Sequence, residues 1–317
     1  MATPACTSPS ARPTSAPPSD PTVTRSKDPV TLATLPAGDF VMGSDDHYVE
    51  ERPAHRRKID AFAIDSVPVT NARFAAFVAD TGHRTLAETP VNPADYPGVA
   101  AELLAPSSLV FTPPPGPVPL TDPRQWWRVV AGADWRHPLG PGSSIEGLED
   151  HPVVHVGFAD ALAYARWAGK TLPTEAQWEY AARAGSTTEY AWGDNLEPEG
   201  RQMANLWQGA FPHHNSLADG FMRTSPVGYY PANPWGLSDM IGNVWEWTLD
   251  TYEKDHAGTP AKSCCGITAR PSAHEFKVLK GGSHLCTPDY CLRYRPAARL
   301  PQATDTCASH IGFRCCL

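Results

Sequence analysis

The C-terminal part of the chain shows almost no helical periodicity. Beyond Gly185, turn dipeptides and short apolar runs dominate, and apolar residues seldom recur at the three- and four-residue spacing of a helix. The chain also contains 34 prolines and only 19% charged residues, and this combination disfavours long helices, coiled coils and helical solenoids. We therefore predict an α+β protein, folded as a single compact domain with little regular secondary structure.

Three short helices are predicted before this point. Residues 70–82 place aromatic and aliphatic side chains on one face and end at a glycine. Residues 158–169 repeat this pattern. Residues 174–185 begin with a capping box, in which the Thr174 hydroxyl accepts from the Gln177 N–H and the Gln177 side chain reaches back to Thr174. We expect each helix to pack one apolar face on the core.

Four strands are predicted in the same part of the chain. The pattern of residues 32–43 predicts two strands joined by a Pro-Ala-Gly turn, and residues 57–67 predict a third. Residues 151–156 predict a buried strand on which His151 and His155 share one face, although two histidines are too few for a metal site. Residues 86–123 are rich in Pro, Ala and Asp, and we expect a long surface insertion there.

The N-terminal segment differs in composition from the rest of the chain. Residues 1–29 consist mainly of Ala, Pro, Ser and Thr, so we expect a disordered tail followed by one folded domain over residues 30–317. No segment has the apolar length of a signal peptide or a membrane span, which favours a cytoplasmic protein whose thiols stay reduced. The net charge of −8 and the pI of about 5.8 disfavour nucleic acid and membrane surfaces as partners.

Cys286 and Cys291 form the strongest candidate for a chemical site. Their spacing is too wide for a thioredoxin-type pair, and no second close Cys or His pair completes a zinc ribbon. Two thiolates alone suit a soft ion of low coordination number, above all Cu(I). Arg293 and Arg295 follow, and they could anchor carboxylates or a substrate backbone. The residues alone leave two alternatives open, a disulfide or two unrelated buried thiols.

Two further pairs of cysteines are adjacent in the sequence, Cys264-Cys265 and Cys315-Cys316. Neighbouring cysteines seldom bridge each other without strain. We expect them to serve in packing or to form disulfides with other partners.

Two groups of oxygen-bearing residues suit a hard cation such as Ca²⁺. Neither group has the spacing of an EF-hand loop, so ordinary turn chemistry stays the alternative. The groups are Asp239, Gly242, Asn243 and Glu246, and Asn205, Asp219 and Asp194.

Several segments together resemble the formylglycine-generating enzymes, also called sulfatase-modifying factors, in order along nearly the whole chain after residue 30. The stretch most specific to this family is GGSHLCTPDYCLRYRPAAR at 281–299, whereas GNVWEW and LPTEAQWEY belong to a wider superfamily. Other matching segments are GDFVMG at 38–43, WRHP at 135–138, HPVVHV at 151–156, YAWGD at 190–194, ANLWQG at 204–209 and GFRC at 312–315.

The resemblance implies a modified C-type-lectin-like fold and an oxidase. Members of the family use O₂ to convert the cysteine of a Cys-x-Pro-x-Arg segment in unfolded sulfatases to Cα-formylglycine. The resemblance further implies that Cys286 and Cys291 hold Cu(I), that the substrate thiolate joins as a third ligand, and that an external thiol acts as reductant. We expect a monomer.

The resemblance also assigns residues around the two thiols. Ser283 and Tyr290 match site residues, and Tyr290 could hydrogen-bond reduced oxygen or donate a proton. Trp245 or Trp247 would form a wall of the pocket. The positions that match the substrate groove are Trp126, Trp127, Arg136 and His310.

The family resemblance also implies two Ca²⁺ sites. One Ca²⁺ site would use Asn205, Asp219 and the carbonyls of Leu206 and Phe221, and a second would use Asp239, Glu246 and the carbonyls of Gly242 and Val244.

Near the thiols the chain departs from the family pattern at Thr287, Asp289 and His310, which could alter substrate contacts or turnover.

Two other functions stay open. A non-haem iron sulfoxide synthase of the ergothioneine type belongs to the same superfamily, but it normally needs a three-histidine iron site that the sequence does not display. A non-catalytic, lectin-like module that only captures sulfatase chains would keep the groove and the calcium sites and would lose the thiol pair.

Overall fold

Three α-helices and ten strands form the regular structure of the residues that the computed structural model describes, namely 28, 30–95, 97–98, 100, 104–257 and 275–317. In chain order they are β1 (Leu32–Leu35), β2 (Gly38–Met42), β3 (His55–Ile59), β4 (Phe62–Asp65), α1 (Asn71–Thr81), β5 (Ser107–Phe111), β6 (Trp127–Ala131), α2 (Phe158–Trp167), α3 (Glu175–Arg183), β7 (Trp245–Thr251), β8 (Phe276–Lys280), β9 (Leu300–Ala303) and β10 (Ile311–Gly312).

The largest sheet carries the elements that position the site. Its strand order is β10-β7-β8-β9, with β10 parallel to β7 and the other pairs antiparallel. The other three sheets are the two-stranded pairs β1-β4, β2-β3 and β5-β6. The main core lies between α1, α2 and the large sheet, where Phe74, Tyr164 and Trp247 are fully buried. The predicted α+β class with little regular secondary structure is confirmed.

The three helices form where the local sequence predicts them. Thr70 caps α1 by accepting from the Arg73 N–H at 3.3 Å, and Gly82 ends it with a φ of 67°. The capping box of α3 is present, with the Gln177 N–H donating to Thr174 Oγ1 at 3.2 Å and the Thr174 N–H donating to Gln177 Oε1 at 2.9 Å. After α3, the only helical element among the described residues is one short 3₁₀ turn, Pro198–Gly200.

The predicted strands are confirmed near the N-terminus and wrong at 151–156. Residues 32–43 form β1 and β2, whereas residues 57–67 are divided between β3 and β4. Segment 151–156 is buried but makes only an isolated bridge between Pro152 and Thr70. Because His155 has a φ of 61°, strand alternation is broken there. His151 therefore bonds Thr224 Oγ1, while His155 bonds Ser108 Oγ and the Pro138 carbonyl.

The prediction of a surface insertion at 86–123 is wrong in part. Residues 107–111 form β5, which pairs with β6. Phe111 is buried against Trp207 and Phe211, because the run Ser-Ser-Leu-Val-Phe supplies apolar side chains that the polar composition of the surrounding segment conceals.

Most of the predicted N-terminal tail lies outside the described residues, as do Cys264 and Cys265. Asp28 is described, and its carboxylate is buried where it accepts from Lys170 Nζ at 2.8 Å and from Arg73 Nε at 2.7 Å. In the part of the chain that the structure describes, no helix has the length and apolar character needed to cross a bilayer.

Candidate active site

Cys286 and Cys291 meet in an open cavity of about 270 Å³. Their sulfur atoms are 3.4 Å apart, and both cysteines are free. A disulfide bond would require about 2.05 Å, so the alternative of a disulfide does not describe this structure. The aromatic residues that line the cavity are Trp126, Trp127, Phe211, Trp245 and Tyr290.

A tight turn brings the two sulfur atoms together. The Cys286 N–H donates to the Ser283 carbonyl at 2.9 Å, and the Cys291 N–H donates to the Thr287 carbonyl at 2.8 Å. Gly282 precedes this turn with a φ of 74°, and a Cβ there would lie 2.8 Å from Tyr294 Cα. Only glycine fits this position, which explains the Gly-Gly-Ser run before the first thiol.

The two thiols differ in their readiness to ionise. The hydrogen bond that Cys286 donates lowers the pKa of Cys291, and the backbone N–H and positive charge of Arg293 lower it further. The same hydrogen bond, together with burial, raises the pKa of Cys286. Cys291 is therefore the thiol of the pair that ionises first, which makes it a soft anionic donor in the cavity.

Arg293 is held over the cavity by a segment from the other end of the chain. Its guanidinium lies 3.8 Å from the centre of the Tyr48 ring, and its Nε and Nη2 atoms donate to Glu50 Oε1 at 3.0 and 2.5 Å. The Tyr48 hydroxyl accepts from the Leu292 N–H at 3.3 Å. The sequence pattern around Tyr48 and Glu50 contains no signal for this contact.

Aromatic rings form the wall beside the thiols. Tyr290 stacks on Phe211 with ring centres 4.6 Å apart, and Trp126 meets both rings edge to face. Trp245 lines the cavity, as the resemblance implies. Trp247 instead donates from Nε1 to the Val156 carbonyl at 3.0 Å and is not among the lining residues.

The other predicted site residues are divided between the cavity and its surroundings. Ser283 lines the cavity, and its Oγ accepts from the Leu285 N–H at 3.3 Å. His310 also lines it, with Trp127 at a ring distance of 4.7 Å, and burial lowers the pKa of His310 to about 3. Arg136 is not a lining residue of this cavity. It pairs with Glu88 at 2.9 Å.

Asn205 and Asp219, from the first predicted calcium site, lie in neighbouring loops. The Asp219 carboxylate accepts from the Phe221 N–H at 3.0 Å and from the Tyr230 hydroxyl at 2.7 Å. The Asn205 Nδ2 atom donates to the Arg223 carbonyl at 2.9 Å, which ties the two loops together. The donors around this point are carboxylate, amide and carbonyl oxygens, which a hard cation prefers.

In the second predicted calcium set, Glu246 is part of a buried ion pair. Both oxygens of Glu246 accept from the Arg314 guanidinium, at 2.7 and 2.8 Å, and one of them also accepts from Trp178 Nε1 at 2.7 Å. A buried cationic side chain therefore already neutralises Glu246. Asp239 accepts from the Gly228 N–H at 2.6 Å, and burial raises the pKa of Asp239 to about 6. Asp194 likewise closes a local turn by accepting from the Glu189 N–H.

Comparison with known proteins gives one consistent result. The family model described as "Sulfatase-modifying factor enzyme 1-like domain" matches residues 19–317. The formylglycine-generating enzyme of Mycobacterium tuberculosis is 55% identical over 288 residues, which cover 90% of this chain and 96% of that protein. The formylglycine-generating enzyme of Streptomyces coelicolor is 46% identical over 289 residues, covering 89% of this chain and 87% of that protein.

A solved structure gives the same fold. The structure of PvdO from Pseudomonas aeruginosa aligns with a TM-score of 0.59 and 26% identity, covering 90% of this chain and 93% of that one. The small sheets and short helices described above are thus an arrangement that other chains of this size adopt.

Proposed function

The chain belongs to the sulfatase-modifying factor family, and we propose that it is an oxidase that converts the cysteine of a Cys-x-Pro-x-Arg segment in an unfolded sulfatase to Cα-formylglycine. The observation that carries the proposal is the pair of free thiols 3.4 Å apart in a cavity walled by aromatic rings. The cavity volume of about 270 Å³ suits a cysteine side chain and its neighbouring backbone.

The donor set fits a soft metal ion. Cys286 and Cys291 would hold Cu(I), because two thiolates in a cavity whose described lining contains no carboxylate select soft ions. When bound, Cu(I) would supply one-electron chemistry with dioxygen and a position for the substrate thiolate. The positive charge of Arg293, which also lines the cavity, offsets the negative charge that thiolate donors accumulate there.

The chain's own side chains prepare the substrate position. The rings of Trp126, Tyr290 and Phe211 exclude water from one side of the thiols. Burial raises the pKa of Tyr290, so its hydroxyl keeps its proton near neutral pH and can donate it to an acceptor in the cavity.

Electron balance requires a second reductant. Converting the substrate CH₂–SH group to an aldehyde and hydrogen sulfide removes two electrons, whereas reducing dioxygen to water takes four. An external thiol would supply the other two as it becomes a disulfide. A monomeric enzyme, an unfolded sulfatase client and a thiol reductant in a reducing compartment belong to the same proposal.

Two calcium ions are also part of the proposal, and Asp239, Glu246 and the carbonyls of Gly242 and Val244 would hold the second. Asn205, Asp219 and the carbonyls of Leu206 and Phe221 would hold the first, supported by the hard oxygen chemistry of these donors. The role of the first ion would be structural, because it would tie two loops together near the aromatic wall.

A peptide assay tests the proposed reaction. A Cys-x-Pro-x-Arg peptide is incubated with the protein, Cu(I), air and a thiol, and mass spectrometry follows loss of the thiol and gain of an aldehyde. The matched control is the same peptide with Ser in place of Cys. Binding without conversion would replace the proposal with a capture module.

The sulfoxide synthase alternative has its own readout. Among the described residues, no group of three or more His, Cys, Asp or Glu side chains is arranged to hold a metal ion. Activity that depends on added Fe(II) and yields a sulfoxide, rather than an aldehyde, would favour that alternative.

A further inference from the structure

A second cavity, of about 220 Å³, lies apart from the thiol cavity and shares no lining residue with it. Its wall is mainly apolar and includes Trp135, Leu139, Leu148 and Met222. Although the chain has a net charge of −8, none of the residues described around this cavity is an Asp or a Glu. Arg223 is the only Lys or Arg among them.

Arg223 is a half-buried cation that forms no ion pair within the described part of the chain. Its Nη2 atom donates to the Phe111 carbonyl at 3.2 Å, while its Nη1 atom is buried and has no hydrogen-bond partner among the described residues. Burial lowers the pKa of Arg223. Removing a guanidinium from water costs free energy unless an anion pairs with it. An anion bound beside Arg223 would offset this cost.

Two other lining side chains have unsatisfied polar atoms. Trp135 is 2% exposed, and no described residue accepts from its Nε1–H. Asn71 is 4% exposed and donates from Nδ2 to the Leu148 carbonyl at 2.8 Å, but its Oδ1 has no partner. Native interiors rarely leave such atoms unpaired, and two of these three groups, Arg223 and Trp135, are donors. A ligand with oxygen acceptors would satisfy them.

We propose that this cavity binds a small organic carboxylate, with its carboxylate group paired to Arg223 and its apolar body packed between Trp135 and Leu148. The size of the ligand follows from the volume, because an apolar cavity of about 150 Å³ accepts benzene. A cavity of about 220 Å³ therefore accepts a body of one ring together with its carboxylate. The site does not depend on the proposed oxidase activity.

Binding is measured on the full chain with benzoate as the probe and benzamide as its uncharged counterpart of nearly the same shape. The five methionines are labelled with ¹³C at the methyl group, and the Met222 methyl reports on this cavity, which it lines. Met42 lies in a different core cluster and serves as the internal control. We expect a saturable shift of Met222 with a Kd in roughly the millimolar range, as small ligands allow. Benzamide should bind about tenfold more weakly.

Variants separate charge from shape. Arg223→Met keeps the length of the side chain without its charge and should weaken benzoate binding about tenfold or more, whereas Arg223→Lys should retain part of it. The matched control is Arg136→Met, which removes a cation that stacks 4.1 Å from the Trp135 ring but does not line the cavity. Leu139→Trp fills the mouth from an exposed position, so it should block binding even if Arg223→Met fails to fold.

Three results would overturn the proposal. The first is no shift of Met222 at benzoate concentrations of about 20 mM, well above the expected Kd. The second is equal affinity for benzamide, which would show that the cavity binds the apolar ring without recognising the carboxylate. The third is an equal shift at Met42, which would show non-specific binding.

Discussion

The cysteine pair at the cavity and the pair near the C-terminus show how surroundings decide what a thiol does. Cys286 and Cys291 are separated in sequence, and a turn brings their sulfur atoms to 3.4 Å. Cys315 and Cys316 are adjacent, yet they belong to two different core clusters because successive residues of an extended segment face opposite sides. The closer pair in sequence is therefore the one that cannot act as a unit.

The charge beside each pair completes the contrast. The hydrogen bond from Cys286 and the positive charge of Arg293 lower the pKa of Cys291, whereas burial and the Asp65 carboxylate raise the pKa of Cys315 well above its usual range. The same two causes raise the pKa of Cys316 to about 12. A hydrogen bond and a nearby cation favour the thiolate form of Cys291, whereas burial above all keeps Cys315 a small apolar side chain.

The largest expected effect is on turnover. Cys286→Ser and Cys291→Ser should each lower kcat/KM for the peptide by about 10³-fold or more, and the double variant should be no worse than either single one, because the two sulfurs act as a unit. Cys315→Ala should keep the activity of each folded molecule. Steady-state kinetics checks this, and full activity of either site variant would remove the thiol pair from the mechanism.

The C-terminal pair should instead control stability. Cys315→Ser places a hydroxyl where the thiol is fully buried, and we expect the free energy of unfolding to fall by about 1–3 kcal/mol. Cys291→Ser should change it by less, because Cys291 is only partly buried. Urea denaturation of the metal-free proteins compares the two, and a larger loss in Cys291→Ser would reverse the contrast.

Alkylation should distinguish the pairs in the native protein. The pKa of Cys291 is lowered, so as the pH falls below the usual thiol range Cys291 stays ionised after ordinary thiols are protonated. At pH 7, without metal, iodoacetamide should label Cys291 about tenfold or more faster than Cys315 or Cys316. Peptide mapping locates the label, and the unfolded protein, in which all thiols should react alike, provides the control.

The smallest expected effect comes from the contact behind Arg293. Glu50→Gln removes the carboxylate that fixes this guanidinium, and we expect a loss of roughly fivefold in kcat/KM with a change in stability of at most about 1 kcal/mol. Cu(I) affinity should fall with it, since the cation near the thiolates becomes mobile.

The control for Glu50→Gln is Glu88→Gln. Glu88 pairs with Arg136, which does not line the thiol cavity. Equal losses in the two variants would show that Glu50 has no specific positioning role.

The features that sequence reasoning predicted depend on short-range interactions. The capped helices α1 and α3 form because Thr70 and Thr174 bond backbone groups three residues away. The strand predicted at 151–156 does not form, because this buried segment makes its backbone hydrogen bonds with loops rather than with a neighbouring strand. Hydrophobic periodicity alone does not distinguish a buried strand from a buried loop.

The features that escaped prediction depend on distant partners. The buried ion pair of Glu246 joins it to Arg314, which lies 68 residues further along the chain. Phe211 lines the site without any local motif that marks it. The thiol pair was the strongest candidate from the residues alone, but its spacing left a disulfide or two unrelated buried thiols open, and the family resemblance implied the role in metal binding.

The contact between the segment after Cys291 and residues 48–51 has a consequence for synthesis on the ribosome. Arg293 pairs with Glu50 across 243 residues, and Arg295 pairs with Glu51 across 244. During translation the early segment emerges long before the arginines that it holds. The contacts that hold Arg293 over the thiol cavity therefore cannot form until nearly the whole chain has been made.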